Sequence, residues 1–288
     1  MSVPDAGVEW RHRYVEANGL TLHVVAAGPE DGDPVLLLHG FPDFWYGWRE
    51  QFGALADAGF RVWAPDQRGY NLSDRPAPVG AYGLRPLAAD AAALAEAMGG
   101  EAAVVGHDFG GGVAWWLAAT RPELLTRVVA VNSPHPAALV ARVARDPRQF
   151  LRHWYAWLFQ FPRLAERLFR AREFAFGVAA LSRTSRPGTF SEADLARYRE
   201  AWGRSGAVRG MLNWYRAART DRPESLDRRV SVPASVLWGR DDPVLPAALA
   251  EESRAYCDRA HVEYVADARH WPHLERPDAV NGYLRAVL

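Results

Sequence analysis

The sequence predicts an α/β fold in which a mostly parallel sheet is covered by helices on both faces. Short apolar runs recur along the chain, and longer segments with helical spacing lie between many of them. Strands that are apolar on both faces are typical of parallel sheets with helices on each side. Such folds place their sites at the carboxyl ends of the strands, so the loops that follow the apolar runs are the first places to search.

The strands and helices of this fold can be assigned from the pattern. The predicted strands are Leu20–Ala26, Val35–Leu38, Arg61–Ala64, Ala102–Val105, Val128–Val131, Ala234–Trp238 and Val262–Val265. The clearest helical segments are Trp48–Ala58, Leu87–Met98 and Val113–Thr120.

The alternation of predicted strands and helices stops after Asn132. From about Pro136 to Arg222 the pattern is helical and rich in arginine and aromatic residues, without a convincing strand, and strands resume after Val230. We interpret residues 1–135 and 226–288 as the core and residues 136–225 as a helical lid inserted over the strand ends. A chain of 288 residues is long enough for one large domain with such an insertion.

The composition excludes several classes of function. Thirty-four basic and 34 acidic side chains balance, which argues against nucleic acid or an anionic membrane as the main partner. The chain has no lysine, which excludes a P-loop lysine, a Schiff-base lysine and a Ser–Lys dyad. Cys257 is the one cysteine, so there is no intrachain disulfide and no cysteine-rich metal site. Met1–Trp10 lacks the apolar run of a signal peptide, so we expect a cytoplasmic protein without a membrane span, and a homodimer is compatible with this.

The sequence Gly-His-Asp-Phe-Gly-Gly at 106–111 follows the predicted strand Ala102–Val105 and precedes a helix. This pattern of small residues around a central residue is that of a nucleophile elbow, with Asp108 at its apex. The glycines are needed because a side chain beside so tight a turn would strike the neighbouring strand or helix. An aspartate could merely cap the helix, but a cap does not require glycines on both sides. Asp108 is therefore the predicted nucleophile.

Two further catalytic groups follow late strands. Asp241 and Asp242 come after the strand that ends at Trp238, and we favour Asp242 as the catalytic acid, with Asp241 as the alternative. His270 follows the last predicted strand. The order nucleophile, acid, histidine is that of the α/β-hydrolase fold.

The loop His39-Gly40-Phe41-Pro42 follows the strand Val35–Leu38. In this fold that loop supplies one backbone N–H of the oxyanion hole, here from Phe41, and the residue after the nucleophile, Phe109, supplies the other. We expect His39 to be a structural hydrogen-bonding residue. His273 lies close to His270, but Pro272 between them disfavours a regular helix through the pair, so we expect no metal site and no cofactor.

A carboxylate nucleophile attacks a saturated carbon and leaves an alkyl ester on the enzyme, which water activated by His270 and Asp242 would hydrolyse. Two leaving groups fit this chemistry. A halide needs only N–H donors, whereas an epoxide oxygen leaves as an alkoxide whose conjugate acid has a pKa of roughly 15 to 16 and therefore needs a proton donor. Tyrosine, with a pKa of about 10, suits that task.

The chain strongly resembles the α/β-hydrolase-fold epoxide hydrolases over nearly its whole length. The resemblance is carried by the motifs at 39–43, 48–49, 66–74, 106–111 and 132–136, and is weakest in the lid. It implies two lid tyrosines that polarise and protonate the epoxide oxygen. These are Tyr155, ahead of Phe-Gln-Phe-Pro at 159–162, and Tyr215, within Asn-Trp-Tyr-Arg at 213–216. The implied reactants are a small apolar epoxide and water. Aromatic lid residues such as Trp154 and Phe159 suggest an apolar pocket closed to bulk water.

Two dehalogenase families share the aspartate nucleophile and form the alternative. Haloalkane dehalogenases usually carry tryptophan after the nucleophile and a side-chain donor near the oxyanion loop, where this chain has Phe109 and Phe41. Fluoroacetate dehalogenases resemble the sequence at 153–155, but they clamp the substrate carboxylate with arginines at the places of Phe109 and Gly112. A third possibility is a ligand-binding homologue without turnover, which saturable binding without hydrolysis would indicate.

Overall fold

A computed structural model describes residues 9–220 and 226–288. Eight strands form one sheet in the order β1-β2-β4-β3-β5-β6-β7-β8. They are β1 Arg11–Ala17, β2 Leu20–Ala27, β3 Pro34–Leu38, β4 Arg61–Pro65, β5 Ala102–His107, β6 Leu125–Val131, β7 Ala234–Gly239 and β8 Ala260–Val265.

The sheet is mostly parallel, as the sequence predicts. Only β1 with β2 and β2 with β4 pair antiparallel, and the pairs from β4 through β8 are parallel. Strands β3, β5, β6 and β7 are buried along most or all of their length, which explains why their sequences are apolar on both faces. All seven predicted strands are present, with ends that differ by up to three residues.

Strand β1 is the one that the sequence analysis missed. Its sequence, Arg-His-Arg-Tyr-Val-Glu-Ala, lies at the sheet edge and most of it is exposed or half-buried. It pairs with β2 over its whole length, from Arg11 opposite Ala26 to Ala17 opposite Leu20. An edge strand needs only one neighbour, and charged residues there are common because they discourage pairing with other chains.

Twelve α-helices accompany the sheet in the part of the chain that the structure describes. They are α1 Arg49–Ala56, α2 Leu84–Ala97, α3 Phe109–Thr120, α4 Pro136–Arg145, α5 Pro147–Arg152, α6 Trp154–Leu158, α7 Leu164–Thr184, α8 Glu192–Gly203, α9 Ala207–Thr220, α10 Ala248–Arg254, α11 Pro272–Glu275 and α12 Pro277–Val287. The predicted helix at 48–58 corresponds to α1, and a 3-10 turn, Trp45–Trp48, precedes it. In the described ranges, no helix is both long and apolar enough to cross a membrane.

Helices α4 to α9 lie between β6 and β7, and the described part of this insertion contains no strand, as predicted. Its side chains bind the loops after β3 and β4: Trp202 donates to the Pro42 carbonyl oxygen at 2.7 Å, and Trp214 to that of Arg68 at 3.1 Å. Tyr198 donates to Asp43 Oδ1 at 2.8 Å. These bonds hold the insertion over the carboxyl ends of the parallel strands. Its predicted end at residue 225 lies outside the described residues.

Candidate active site

Asp108 stands at the turn between β5 and α3, in a backbone conformation that few side-chain-bearing residues adopt. Its φ is 49° and its ψ is −120°. A positive φ crowds Cβ against the backbone, so such residues persist only where the surroundings hold them and are frequent at functional sites.

The glycines around Asp108 are required by close packing. A Cβ on Gly110 would lie 2.2 Å from the backbone oxygen of Leu38, and one on Gly111 would lie 2.3 Å from Ser133 Cβ. On the opposite loop, a Cβ on Gly40 would lie 2.5 Å from Asp108 Cβ. The elbow is therefore held between the end of β3, with the loop that follows it, and the loop after β6.

The structure brings His270 between the two carboxylates. His270 Nε2 is 3.6 Å from Asp108 Oδ2, and its Nδ1 is 2.8 Å from Asp242 Oδ2. Asp242 is buried, and its other oxygen accepts bonds from the backbone N–H groups of Val244 and Leu245. Asp241 is exposed. Of the two aspartates that the sequence left open, Asp242 is therefore the one placed against the histidine.

Asn132 completes the environment of Asp242 and was not assigned a role from the sequence. Its Nδ2 donates to Asp242 Oδ2 at 2.7 Å and to the Arg269 carbonyl oxygen at 3.1 Å. Its Oδ1 accepts from the Gly239 N–H at 2.8 Å. One buried amide thus ties the end of β6 to the loops after β7 and β8. The signal available in the sequence was the position of Asn132, a polar residue directly after a buried strand.

The protonation states of His270 and Asp108 depend on each other and on the charge of Asp242. Burial would lower the pKa of His270, but the carboxylates of Asp242 and Asp108 outweigh burial and raise it to about 10. Burial would likewise raise the pKa of Asp108, but its hydrogen bond with His270 and the charge of His270 leave it lowered. The arrangement is therefore an ionised Asp108 beside an imidazolium.

Backbone donors face the Asp108 carboxylate where the oxyanion hole is predicted. The Phe41 N–H donates to Asp108 Oδ1 at 3.2 Å, and the Phe109 N–H also bonds this carboxylate. His39 donates from Nδ1 to the Gly40 carbonyl oxygen and accepts from the Gln67 N–H at Nε2. Burial lowers the pKa of His39 to about 4, so a neutral imidazole braces the loop.

Two cavities meet at Asp108. Cavity A, of about 380 Å³, extends towards α7 and the loop after β8, and cavity B, of about 290 Å³, extends towards α3, α4 and α9. Four residues line both cavities: Asp108, Tyr155, Tyr215 and Val244. His270 lines cavity A. Asp108 therefore lies at the junction of two spaces that an organic molecule could occupy.

Tyr155 and Tyr215 come from α6 and α9, and their ring centroids are 5.8 Å apart. Burial, with the charge of Asp108, raises the pKa of both phenols, so both carry their protons at neutral pH. Trp154, which is 58% exposed, also lines cavity A. Phe159 is buried behind the tyrosines, against Phe41, and belongs to the described wall of neither cavity. It supports the pocket and does not face it.

A buried polar group lies behind the elbow. Asp43, His107 and His273 bring potential ligand atoms within 4.8 Å of one another, the one such group among the described residues. His107 Nε2 donates to the His270 carbonyl oxygen at 2.8 Å. Burial lowers the pKa of both His107 and His273 and raises that of Asp43 to about 7. In the sequence His273 stands beside His270, whereas in the structure its ring packs against that of His107.

Comparison with known proteins places this geometry in a family. Residues 33–277 match the alpha/beta hydrolase fold family. The AB hydrolase superfamily protein YfhM of Bacillus subtilis (strain 168) is 44% identical over 270 residues, which cover 93% of this chain and 94% of YfhM. Epoxide hydrolase 4 of Mus musculus is 34% identical over 286 residues, covering 96% of this chain and 79% of that protein.

Comparison with solved structures points to the same family. The crystal structure of Bacillus megaterium epoxide hydrolase in complex with an inhibitor superimposes with a TM-score of 0.85 at 28% identity, covering 94% of this chain and 98% of that one. The family match, the related sequences and the solved structures lead to one conclusion: the chain is a hydrolase that belongs to the α/β-hydrolase-fold epoxide hydrolase family.

Proposed function

We propose that this enzyme opens a small apolar epoxide to a vicinal diol through an ester on Asp108. The observation that carries the proposal is that Asp108, Tyr155 and Tyr215 line the same space at the junction of the cavities. An epoxide there meets a carboxylate at its carbon and phenol protons at its oxygen. The related proteins named epoxide hydrolases support the same chemistry.

In the first step, a carboxylate oxygen of Asp108 bonds to a ring carbon while the bond from that carbon to the ring oxygen breaks. The ring oxygen keeps the electron pair and takes a proton from Tyr155 or Tyr215. The lowered pKa of Asp108 keeps the nucleophile ionised, and the raised pKa of the phenols keeps the acids protonated. General acid help of this kind contributes typically 10²–10⁴-fold, and the strongly basic alkoxide makes it necessary here.

In the second step, water attacks the ester carbonyl and gives a proton to His270. The ester no longer carries the negative charge of Asp108, so one of the two carboxylates that raise the pKa of His270 is lost. Ester formation therefore lowers the pKa of the imidazole, whose proton passes to the tyrosinate left by the first step, and the neutral base is then available for water. Asp242, at 2.8 Å from Nδ1, orients the ring and stabilises the imidazolium that forms.

The backbone N–H groups of Phe41 and Phe109 serve as the oxyanion hole. Asp108 Oδ1, which accepts from the Phe41 N–H in the free enzyme, becomes the ester carbonyl oxygen and gains charge when water adds. Preorganised donors at that place stabilise the charge without reorganisation. The intermediate then collapses: the bond from the Asp108 carbonyl carbon to the diol oxygen breaks, and that oxygen takes the proton held by His270 as the diol leaves. The acid proton left on Asp108 returns to His270, which restores the carboxylate and the imidazolium.

We propose that residues 136–225 form the lid and that the remaining residues form the catalytic core. The insertion supplies both tyrosines, and the bonds from Tyr198, Trp202 and Trp214 to the loops of the core fix their position. Closing the site over an apolar substrate excludes bulk water, which strengthens the electrostatic interactions within it.

Dehalogenation through the same nucleophile is less well supported. Phe109 and Gly112 line cavity B beside Asp108 and offer no cation for the carboxylate of a haloacid. Arg183, the one arginine in the described wall of cavity A, is exposed where that cavity opens to solvent, so it suits a longer molecule than a haloacid. Phe41, in the other cavity, offers no side-chain donor for a halide. The phenols of Tyr155 and Tyr215, by contrast, can donate a proton, which an epoxide oxygen needs when the ring opens and a halide does not need when it leaves.

Intact mass spectrometry of the His270→Gln variant after incubation with styrene oxide tests the proposal. We expect a gain equal to one whole epoxide, mapped by peptide digestion to Asp108. The double variant Asp108→Asn, His270→Gln is the matched control and should gain nothing. Alkylation of Asp108 by bromoacetate or fluoroacetate alone, with loss of halide, would instead identify a dehalogenase.

A further inference from the structure

One face of helix α7 lines cavity A, and an arginine lies on this face near the end of the helix. Phe176, Ala180 and Arg183 all line the cavity, and their spacing of four and three residues places them on one side of the helix. The alanine leaves room in the middle of this wall. Arg183 is exposed, so its side chain stands where the cavity opens to solvent.

The guanidinium of Arg183 is available for a ligand. Among the described residues, no carboxylate lies within ion-pair distance of it. Neighbouring arginines are engaged: Arg186 is 3.9 Å from Asp267, and Arg269 donates to the Ser185 carbonyl oxygen. The only acid in the described wall of cavity A is Asp108, which already faces His270.

Cavity B has a different character. Its described wall contains no arginine and, besides the shared Asp108, no carboxylate. Most of its lining is aliphatic or aromatic, including Leu84, Val113, Leu139 and Trp214. His153, which also lines it, bonds to the Gln149 carbonyl oxygen through Nδ1. An apolar group suits this space, whereas an anion finds no partner there.

We infer that the preferred substrate is not purely apolar: it is an epoxide with two arms, an apolar arm in cavity B and an arm in cavity A that ends in a carboxylate bound by Arg183. This inference rests on the proposed epoxide hydrolysis. A guanidinium presents two parallel N–H donors that match the two oxygens of a carboxylate. Because the pair forms near solvent, we expect an effect of about three- to tenfold, in the range of an exposed to half-buried ion pair.

The test compares epoxydecanoic acids, with the ring at successive positions along the chain, with their primary amides, which are similar in size and shape but uncharged. The kcat/KM values are measured for wild type, Arg183→Gln and Arg186→Gln. We expect the wild type to favour the best acid over its amide by about three- to tenfold, through KM, and to lose this preference as salt screens the charges. Arg183→Gln should abolish the preference, while Arg186→Gln, whose residue is outside the described cavity wall, should retain it.

Equal acid-to-amide ratios in wild type and Arg183→Gln would overturn the inference. If the wild type hydrolyses styrene oxide but shows no preference for any acid, the role of Arg183 fails and the proposed epoxide hydrolysis stands. If it hydrolyses neither styrene oxide nor any epoxydecanoic derivative, both proposals fail.

Discussion

Asn132 Nδ2 lies 2.7 Å from Asp242 Oδ2, the same oxygen that receives the hydrogen bond of His270. The carboxylate is thus oriented from one side by an amide and from the other by the base. Supporting bonds of this kind fix the geometry of catalytic groups, and their loss typically costs more in rate than in binding.

The first prediction concerns this amide. Asn132→Gly removes it while tolerating the positive φ of 41° at this position. We expect hydrolysis of the Asp108 ester to slow by about 10-fold, since Asp242 loses one partner, with little change in the rate of ester formation. Rapid-quench measurements of the two steps check this. Equal slowing of both would indicate a general disturbance of the site.

The second prediction concerns the packing of the elbow. Gly110→Ala places a Cβ 2.2 Å from a backbone oxygen, so the turn must shift, and we expect a loss of about 3 kcal/mol or more in the free energy of unfolding. Gly112→Ala is the matched control, because nothing described lies within 4 Å of a Cβ there. That variant should match the wild type or gain about 0.5–1 kcal/mol, since alanine favours a helix. Urea unfolding of both variants measures the difference, and similar values for the two would contradict the packing argument.

The third prediction concerns the lid tyrosines. Tyr155→Phe and Tyr215→Phe should each slow ester formation from styrene oxide by about 10- to 100-fold, and the double variant should slow it by about 10³-fold or more. Each phenol can polarise the oxygen when the other is absent, so a single loss is partly compensated. Ester formation is followed by mass spectrometry in the His270→Gln background, where the product accumulates. A double variant with an unchanged rate would remove the tyrosines from the mechanism.

The fourth prediction follows from the raised pKa of His270. A histidine whose pKa is 6.5 when unfolded and about 10 when folded contributes stability that is complete below pH 6.5. That contribution is lost as the pH rises towards 10, because the folded state then releases its extra proton. The free energy of unfolding of the wild type should therefore fall between these values more steeply than that of His270→Gln. Parallel curves for the two proteins would show that the imidazole is not charged in the free enzyme.

The sequence was sufficient for the parts of the fold that depend on local pattern. Buried parallel strands have few alternatives to continuous apolar runs, and the elbow needs its glycines, so both can be read directly. Strand β1 could not be predicted, because an edge strand held by pairing with β2 carries Arg11, His12 and Arg13 without penalty. Local pattern says little about such strands.

The site was predictable in its chain order but not in its three-dimensional detail. Asp241 and Asp242 are neighbours in sequence, and only the backbone of the loop after β7 decides which of them reaches His270. Phe159 was expected to face substrate, but helix packing turns it behind the tyrosines. The role of Asn132 depends on contacts with residues more than 100 positions away, which no local motif reveals.

At Asp108, the backbone conformation that suits the proposed catalytic role is one that costs stability. The turn that aims its carboxylate at the junction of the cavities holds φ at 49°, where a residue without a side chain would be relaxed. Replacing the proposed nucleophile by glycine should therefore yield an inert protein whose elbow forms with less strain than that of the wild type. Selection for heat resistance alone would then favour the loss of this aspartate, and only selection for the proposed chemistry would retain it.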